Sequence, residues 1–238
     1  MMNKRKPILE KLETTLGYSF KDMKILEESI IHKSYAHENA AQKLRHNERL
    51  EFLGDAVLDL VVSDLLMEKF PESHEGELSR IRASIVNEDQ LAKLAMSLEL
   101  GKSIYLGKGE ERTKGRIKAS ILANTYEAIV AAIYLDGGYR AAYTVVQEHF
   151  RPILDQAAKS DINRDYKTKL QEETQARHKL VPQYKVTQEK GPDHDKVFQI
   201  QVSLKGKPLA FGSGKNKKEA EQDAARSALK ILREEETF

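Results

Sequence analysis

The chain of 238 residues contains no cysteine, so disulfides and Cys-ligated zinc are excluded and a reducing compartment is allowed. It also lacks any apolar run near the roughly 18 residues needed to cross a bilayer. Its start, MMNKRKPILE, has no apolar core of a signal peptide. The expectation is a cytoplasmic protein with no membrane partner. Net charge is small at +2, but it is unevenly spread: residues 165–238 carry 15 Lys and Arg against 12 Asp and Glu, leaving 24 against 25 for residues 1–164. That basic excess is too slight to prove a nucleic-acid partner, so the positions of the charges must decide. What is present, 40% hydrophobic and 32% charged residues, is ordinary for a soluble protein, with room for two small domains or one large one.

The stretch NERLEFLGDAVLDLVVSDLLMEKF, residues 47–70, predicts one helix, opened by an Asn47 N-cap and stopped before Pro71. So apolar a helix is expected to be buried. Yet Glu48, Glu51 and Asp55, at i, i+3 and i+7, lie within about 60° of one another, and Asp59 extends the same face. Buried carboxylates are costly unless their charge is compensated, which makes a cation site the first hypothesis and a solvated stripe on a half-buried helix the alternative. Along the axis Glu51 and Asp55 are about 6 Å apart, whereas Glu48 is about 10 Å from Asp55. Glu51 and Asp55 can share an ion; Glu48 cannot readily join them.

A second apolar helix is predicted over Lys118–Asp136, with Asn124 and Glu127 at i and i+3 on the face of Ile121 and Ala128. If the two helices face each other, Glu51, Asp55, Asn124 and Glu127 form an all-oxygen cage of the kind preferred by Mg²⁺ or Mn²⁺. Such a cage suits phosphate chemistry, because the ion lowers the pKa of a bound water and stabilises phosphoryl charge. Further helical spacing covers residues 8–16, 22–31 and 77–99, with a turn at Gly17–Phe20. The stretch His32-Lys33-Ser34-Tyr35, with His37 and His46, does not place three histidines on one face, and is read as support for the loop entering the acidic helix. The Gly-rich loop 107–116 lacks the Gly-Lys-Ser/Thr ending of a P-loop. It is either a solvated connector or, if it borders the cage, a source of phosphate contacts from Arg112, Lys114 and Arg116.

The run Glu48-Arg49-Leu50-Glu51-Phe52-Leu53-Gly54-Asp55-Ala56 resembles the signature of the ribonuclease III family. HKSY upstream, and LGKGEE and ILANTYEAIVAAIYLDGG downstream, follow the same order. The resemblance implies an all-α endonuclease domain that dimerises symmetrically and cuts double-stranded RNA with Mg²⁺, Mn²⁺ being a substitute. By position it makes Glu51, Asp55, Asn124 and Glu127 the metal-site residues, with Asp55 and Glu127 catalytic and Glu48 nearer the RNA. It also makes Phe52 a dimer contact and Glu75 an acid near the cleavage valley, although a core aromatic and a surface charge would look the same. One departure stands out: the family commonly has Asp where this chain has Asn124. The amide oxygen still ligates a hard cation, but with one charge fewer, so a catalytically weakened double-stranded-RNA binder is the alternative function.

Beyond the polar stretch DQAAKSDINR the character of the chain changes. We expect a linker over 157–164 between an endonuclease domain, 1–156, and a second domain, 165–234. The second domain reads as a small α+β unit of order α-β-β-β-α. Its helices cover about Tyr166–Arg177 and Lys217–Leu232, and its strands begin near Gln183 and Phe198 and span Pro208–Phe211. Phe198, Ile200, Val202 and Leu204 alternate strictly with polar residues, and Ala220, Ala224, Ala228 and Ile231 share the face toward the sheet. The segments DYKTKLQEETQ, GPDHDKVF and GSGKNKKEAEQDAA resemble the double-stranded RNA-binding domain. That resemblance places Thr168, Gln171 and Glu172 on ribose hydroxyls and the His194 loop in the next minor groove. Lys215, Lys217 and Lys218 then meet the intervening phosphates, over about 16 bp of A-form duplex. The ribonuclease III resemblance further implies 5′-phosphate and 3′-hydroxyl products with a short 3′ overhang, as in processing of ribosomal and other precursor transcripts. An all-α nucleotide pyrophosphohydrolase could use similarly spaced acids, but it would have no use for the second domain.

Overall fold

Residues 48–69 form a single helix, packed most extensively along the long helix of residues 119–159. The computed structural model describes residues 2–159, 166–192 and 196–234. Two units divide the chain, Met1–Lys159 and Ser160–Phe238.

The first unit is helical: α1 (Met2–Leu16), α2 (Met23–Ser29), α3 (Lys33–Glu38), α4 (Glu48–Lys69), α5 (Glu75–Ile85), α6 (Glu88–Ser97), α7 (Lys108–Arg112) and α8 (Ala119–Lys159). Helices α4 and α8 supply the centre of its core. Leu58, Val61, Val62 and Leu66 of one, and Leu122, Tyr126, Ile129 and Ile133 of the other, are almost wholly removed from water. Each such side chain stabilises the fold by about 1.5–3 kcal/mol.

Several local expectations need correction. Asn47 does not cap α4 with its side chain: its backbone is already helical (φ −71°, ψ −12°), and its N–H donates to the Ile31 carbonyl at 2.9 Å. The predicted helix over 77–99 is two helices, because Asn87 is extended and its side chain accepts from the Gln90 N–H at 3.1 Å, starting α6 afresh. The helix expected to end near Asp136 resumes after a break at Gly138, whose φ of 77° suits glycine, and runs to Lys159. Residues 157–159 of the expected linker are therefore helical, and Ala157 is buried in the core. The remainder, 160–164, lies outside the described residues. The HKSY stretch starts α3, with the His32 side chain accepting from the Ser34 N–H.

The second unit has the order α9 (Tyr166–His178), β1 (Gln183–Lys190), β2 (Val197–Leu204), β3 (Lys207–Gly214) and α10 (Lys217–Glu234), with an antiparallel sheet β1-β2-β3. Ile200 and Val202 of β2 pack with Leu170 of α9 and Ala220, Ala224 and Ala228 of α10. The β2–β3 hairpin turns on Lys205 and Gly206, both at positive φ (50° and 77°), which matches the twist of the flanking strands. A Cβ on Gly212 would stand 2.0 Å from the Ala224 nitrogen, so β3 lies directly on α10.

Candidate functional site

The site is set by a backbone contact. Gly54 is buried, and a Cβ placed on it would stand 1.9 Å from the Glu127 carbonyl oxygen and 2.4 Å from its carbon. Helices α4 and α8 thus meet backbone to backbone. Glu51 and Asp55 flank that point on α4, while Glu127 sits at it on α8. One turn earlier on α8, Asn124 hydrogen-bonds the Glu51 carboxylate, its amide N–H donating. The four residues expected to form the cage are brought together.

Their charge is poorly compensated. Burial, followed by repulsion from Asp55, Glu51 and Asp59, pushes the Glu127 carboxyl up from 4.5 to about 7. Burial also raises Glu51, with Glu48 and Asp55 adding repulsion, against the Asn124 hydrogen bond and the Lys33 ammonium, which draw it down. Full burial of the acidic helix was expected, and the structure corrects this: Asp55 is exposed and Glu51, Asp59, Asn124 and Glu127 are only partly buried. The inward face of α4 is Leu50, Val57, Leu58, Val61, Val62, Leu65 and Leu66, while Phe52 is 83% exposed and Leu60 and Met67 also face outward. The cage is an open rim.

Carboxylate and amide oxygens with excess negative charge are the donors a hard divalent cation takes, so the residues fit such an ion. Among the described residues no group of three His, Cys, Asp or Glu side chains is drawn together closely enough to hold a metal.

Glu48 is engaged by basic partners of its own. Its Oε1 receives the Lys33 Nζ at 2.9 Å, its Oε2 lies 3.6 Å from the His46 Nδ1, and the lysine bond holds its carboxyl below the usual range. Sequence reasoning singled out the HKSY stretch but missed this pairing, because Lys33 and Glu48 are fifteen positions apart and belong to different helices. Glu75, exposed at the start of α5, accepts from the Ser79 hydroxyl at 2.9 Å. In the Gly-rich loop, Arg116 is not free for phosphates. It donates to Glu111 at 2.6 Å and to the carbonyls of Gly101 (2.7 Å) and Ile104 (3.1 Å), fastening the loop. Arg112 and Lys114 are exposed.

In the second unit Gln171 and Glu172 of α9 are exposed and Thr168 is partly buried. The start of α10 is a reciprocal cap: Asn216 Oδ1 accepts from the Glu219 N–H at 2.9 Å, and Glu219 accepts from the Asn216 side chain at 2.7 Å and the Lys215 N–H at 2.9 Å. Lys215, Lys217 and Lys218 are all exposed there, but Lys217 leans back over the Phe198 ring, 5.7 Å from its centroid, and toward Glu189 at 3.8 Å. His194 lies outside the described residues.

Comparison with known proteins matches both units. A family model described as Ribonuclease-III-like matches residues 22–154, and one for the double-stranded RNA binding motif matches 166–232. The protein called Ribonuclease 3 of Syntrophobacter fumaroxidans is 51% identical over 228 residues, 94% of each chain. A crystal structure of the nuclease domain of ribonuclease III from Campylobacter jejuni is 46% identical with a TM-score of 0.55, covering 60% of this chain and 93% of that one. A second structure of that domain, covering 99% of its own chain at the same identity and TM-score, describes flexibility in the region involved in dimer formation. With both units matched and half of the residues shared along nearly the whole length, the chain belongs to the ribonuclease III family of endoribonucleases.

Proposed function

We propose that this protein is a homodimeric, Mg²⁺-dependent endoribonuclease that cuts double-stranded RNA, with Glu51, Asp55, Asn124 and Glu127 holding the ion and Mn²⁺ able to replace it. The observation that carries this reading is the contact of Gly54 with Glu127, which gathers acids from α4 and α8 around a point of uncompensated charge. An ion held by these four residues would supply Lewis acidity, making a bound water more acidic and stabilising charge on the phosphate. The chain's own residues prepare the place. The Asn124 amide beside Glu51 favours that carboxyl's ionised form, the form a cation takes. Asp55 and Glu127, the catalytic pair, carry the exposed and the half-buried charge at the crossing.

The second domain supplies the duplex. Thr168, Gln171, Glu172 and the His194 loop suit minor-groove ribose contacts, and Lys215, Lys217 and Lys218 suit the phosphates between. Two sites related by a dyad match the pseudo-two-fold symmetry of a duplex, one per strand, and the exposed Phe52 ring near the acids is the proposed contact between subunits. Products with 5′-phosphate and 3′-hydroxyl ends and a short 3′ overhang, and a role in processing ribosomal and other precursor transcripts, follow the family. We place it in the cytoplasm; no helix among the described residues is long and apolar enough to cross a membrane.

The test is incubation of a long RNA duplex with Mg²⁺, then Mn²⁺, beside Glu127→Gln. Cleavage by the parent chain and binding without cleavage by the variant are expected. A parent chain that cuts with neither ion, or a variant that still cuts, overturns the assignment.

A further inference from the structure

Lys33, the first residue of α3, reaches across to the first residue of α4, Glu48, with Nζ to Oε1 at 2.9 Å. The chain on both sides of the pair is fixed. Asn47 N–H donates to the Ile31 carbonyl at 2.9 Å, and His32 N–H to the Tyr105 carbonyl at 3.1 Å. The Ser34 hydroxyl lies 2.8 Å from His32 Nδ1 and accepts from the Gly107 N–H at 2.9 Å. The base of Lys33 is thereby held against the opening turn of the acidic helix. Glu48 is in turn one helical turn from Glu51, and the positive charge of Lys33 acts on the Glu51 carboxyl. A cation therefore stands at the edge of a site whose other charges are negative.

The pair is about half exposed, 54% for the lysine side chain and 47% for the glutamate. Such ion pairs hold little free energy, so exchanging the carboxylate for another anion costs little. A phosphate diester is the anion this site is built to receive, and an ammonium on a flexible stem bonds it with charge assistance. The Glu48 carboxylate itself repels a phosphate, so an anion that comes to Lys33 must displace it. We propose that Lys33 seats an RNA phosphate beside the cage and that Glu48 is its positioning residue, holding the ammonium one turn from Glu51 until the phosphate takes the carboxylate's place. The inference rests on the double-stranded-RNA reading above.

The test is equilibrium binding of the full chain to an RNA duplex without divalent ions, over a range of KCl concentrations, for Lys33→Gln, Glu48→Gln, the double variant and Lys33→Arg. Lys33→Gln is expected to weaken binding several-fold and to lower the magnitude of the log–log salt slope by about 0.7–0.9, the signature of one lost phosphate contact. Lys33→Arg keeps the slope. Glu48→Gln is expected to tighten binding, and that gain vanishes in the Lys33→Gln background. An unchanged slope in Lys33→Gln overturns the inference, as does a Glu48→Gln effect that is the same with and without Lys33, which makes Glu48 an independent determinant. A parent chain that neither binds nor cuts the duplex overturns the broader reading and this one with it. A parent chain that does both, beside a silent Lys33→Gln, overturns this one alone.

Discussion

Gly54 and Glu127 touch through their backbones: a methyl group at Gly54 would lie 1.9 Å from the Glu127 carbonyl oxygen. No rotamer change relieves a clash with backbone. We expect Gly54→Ala to force α4 away from α8 and to cost at least about 1–3 kcal/mol, the usual range for overpacking. A lower unfolding midpoint and a parallel loss of Mg²⁺-dependent cleavage would register it, because the displaced helix carries Glu51 and Asp55 away from Glu127. An unchanged midpoint would mean that the helices have more slack than this contact implies.

Glu127 gives a prediction with a definite sign. Its carboxyl ionises at about 7 in the folded chain against an ordinary 4.5, so the native state holds the extra proton between those values. Stability therefore falls as pH rises through that window, and the penalty is complete above about pH 7. Glu127→Gln removes it. After allowance for solvent screening at this partly buried position, we expect the variant to be about 1–2 kcal/mol more stable than the parent at pH 8 without metal, and to gain nothing near pH 4. Denaturant titrations in EDTA at the two pH values check this. A variant less stable at pH 8 would show that Glu127 makes a favourable contact in the metal-free chain.

Phe52 exposes 83% of its surface on the helix that carries the acids. If the ring is buried between two subunits, its loss removes an aromatic anchor, and we expect Phe52→Ala to weaken dimerisation by about 2 kcal/mol, roughly thirty-fold. Sedimentation over a concentration series reads this directly. A parent chain that sediments with the mass of one subunit removes the dimer from the proposal.

The lysines at the start of α10 are not equivalent. Lys217 already lies over Phe198 and near Glu189, whereas Lys218 and Lys215 are exposed at the same helix end. We expect Lys218→Ala to flatten the salt dependence of duplex binding more than Lys217→Ala does, by about 0.7 in slope. Equal slopes in the two variants would mean that Lys217 leaves Phe198 when RNA binds.

Much of this was legible in the sequence, because helical period reports which residues share a face. The spacing of Glu51 and Asp55 marked one half of the candidate site, that of Asn124 and Glu127 the other half proposed, and the strict alternation from Phe198 to Leu204 marked the central strand. Periodicity carries no information on what meets across a gap. That Asn87 would cap a new helix depends on its extended backbone, and that Arg116 would be taken up by Gly101 and Ile104 depends on how the loop folds back. The same blindness hid Lys33 from Glu48. Hydrophobic content overstated the burial of α4, because Phe52, Leu60 and Met67 are apolar residues that face outward in the single chain.

Asn124 is where the family resemblance and this chain part, and its hydrogen bond to Glu51 gives the exchange two opposing effects. An aspartate there cannot donate to Glu51; it would place a second negative charge beside a carboxyl that burial already raises. Without metal, Asn124→Asp is therefore expected to destabilise the fold, seen as a lower unfolding midpoint in EDTA at neutral pH. With metal the same charge becomes a ligand, and since affinity for hard cations rises with ligand charge, half-maximal cleavage should need several-fold less Mg²⁺. Mn²⁺ binding followed by calorimetry separates affinity from turnover. Tighter binding with unchanged maximal cleavage would mean that the amide costs only occupancy. A gain in turnover at saturating metal would mean that the missing charge also takes part in the chemistry.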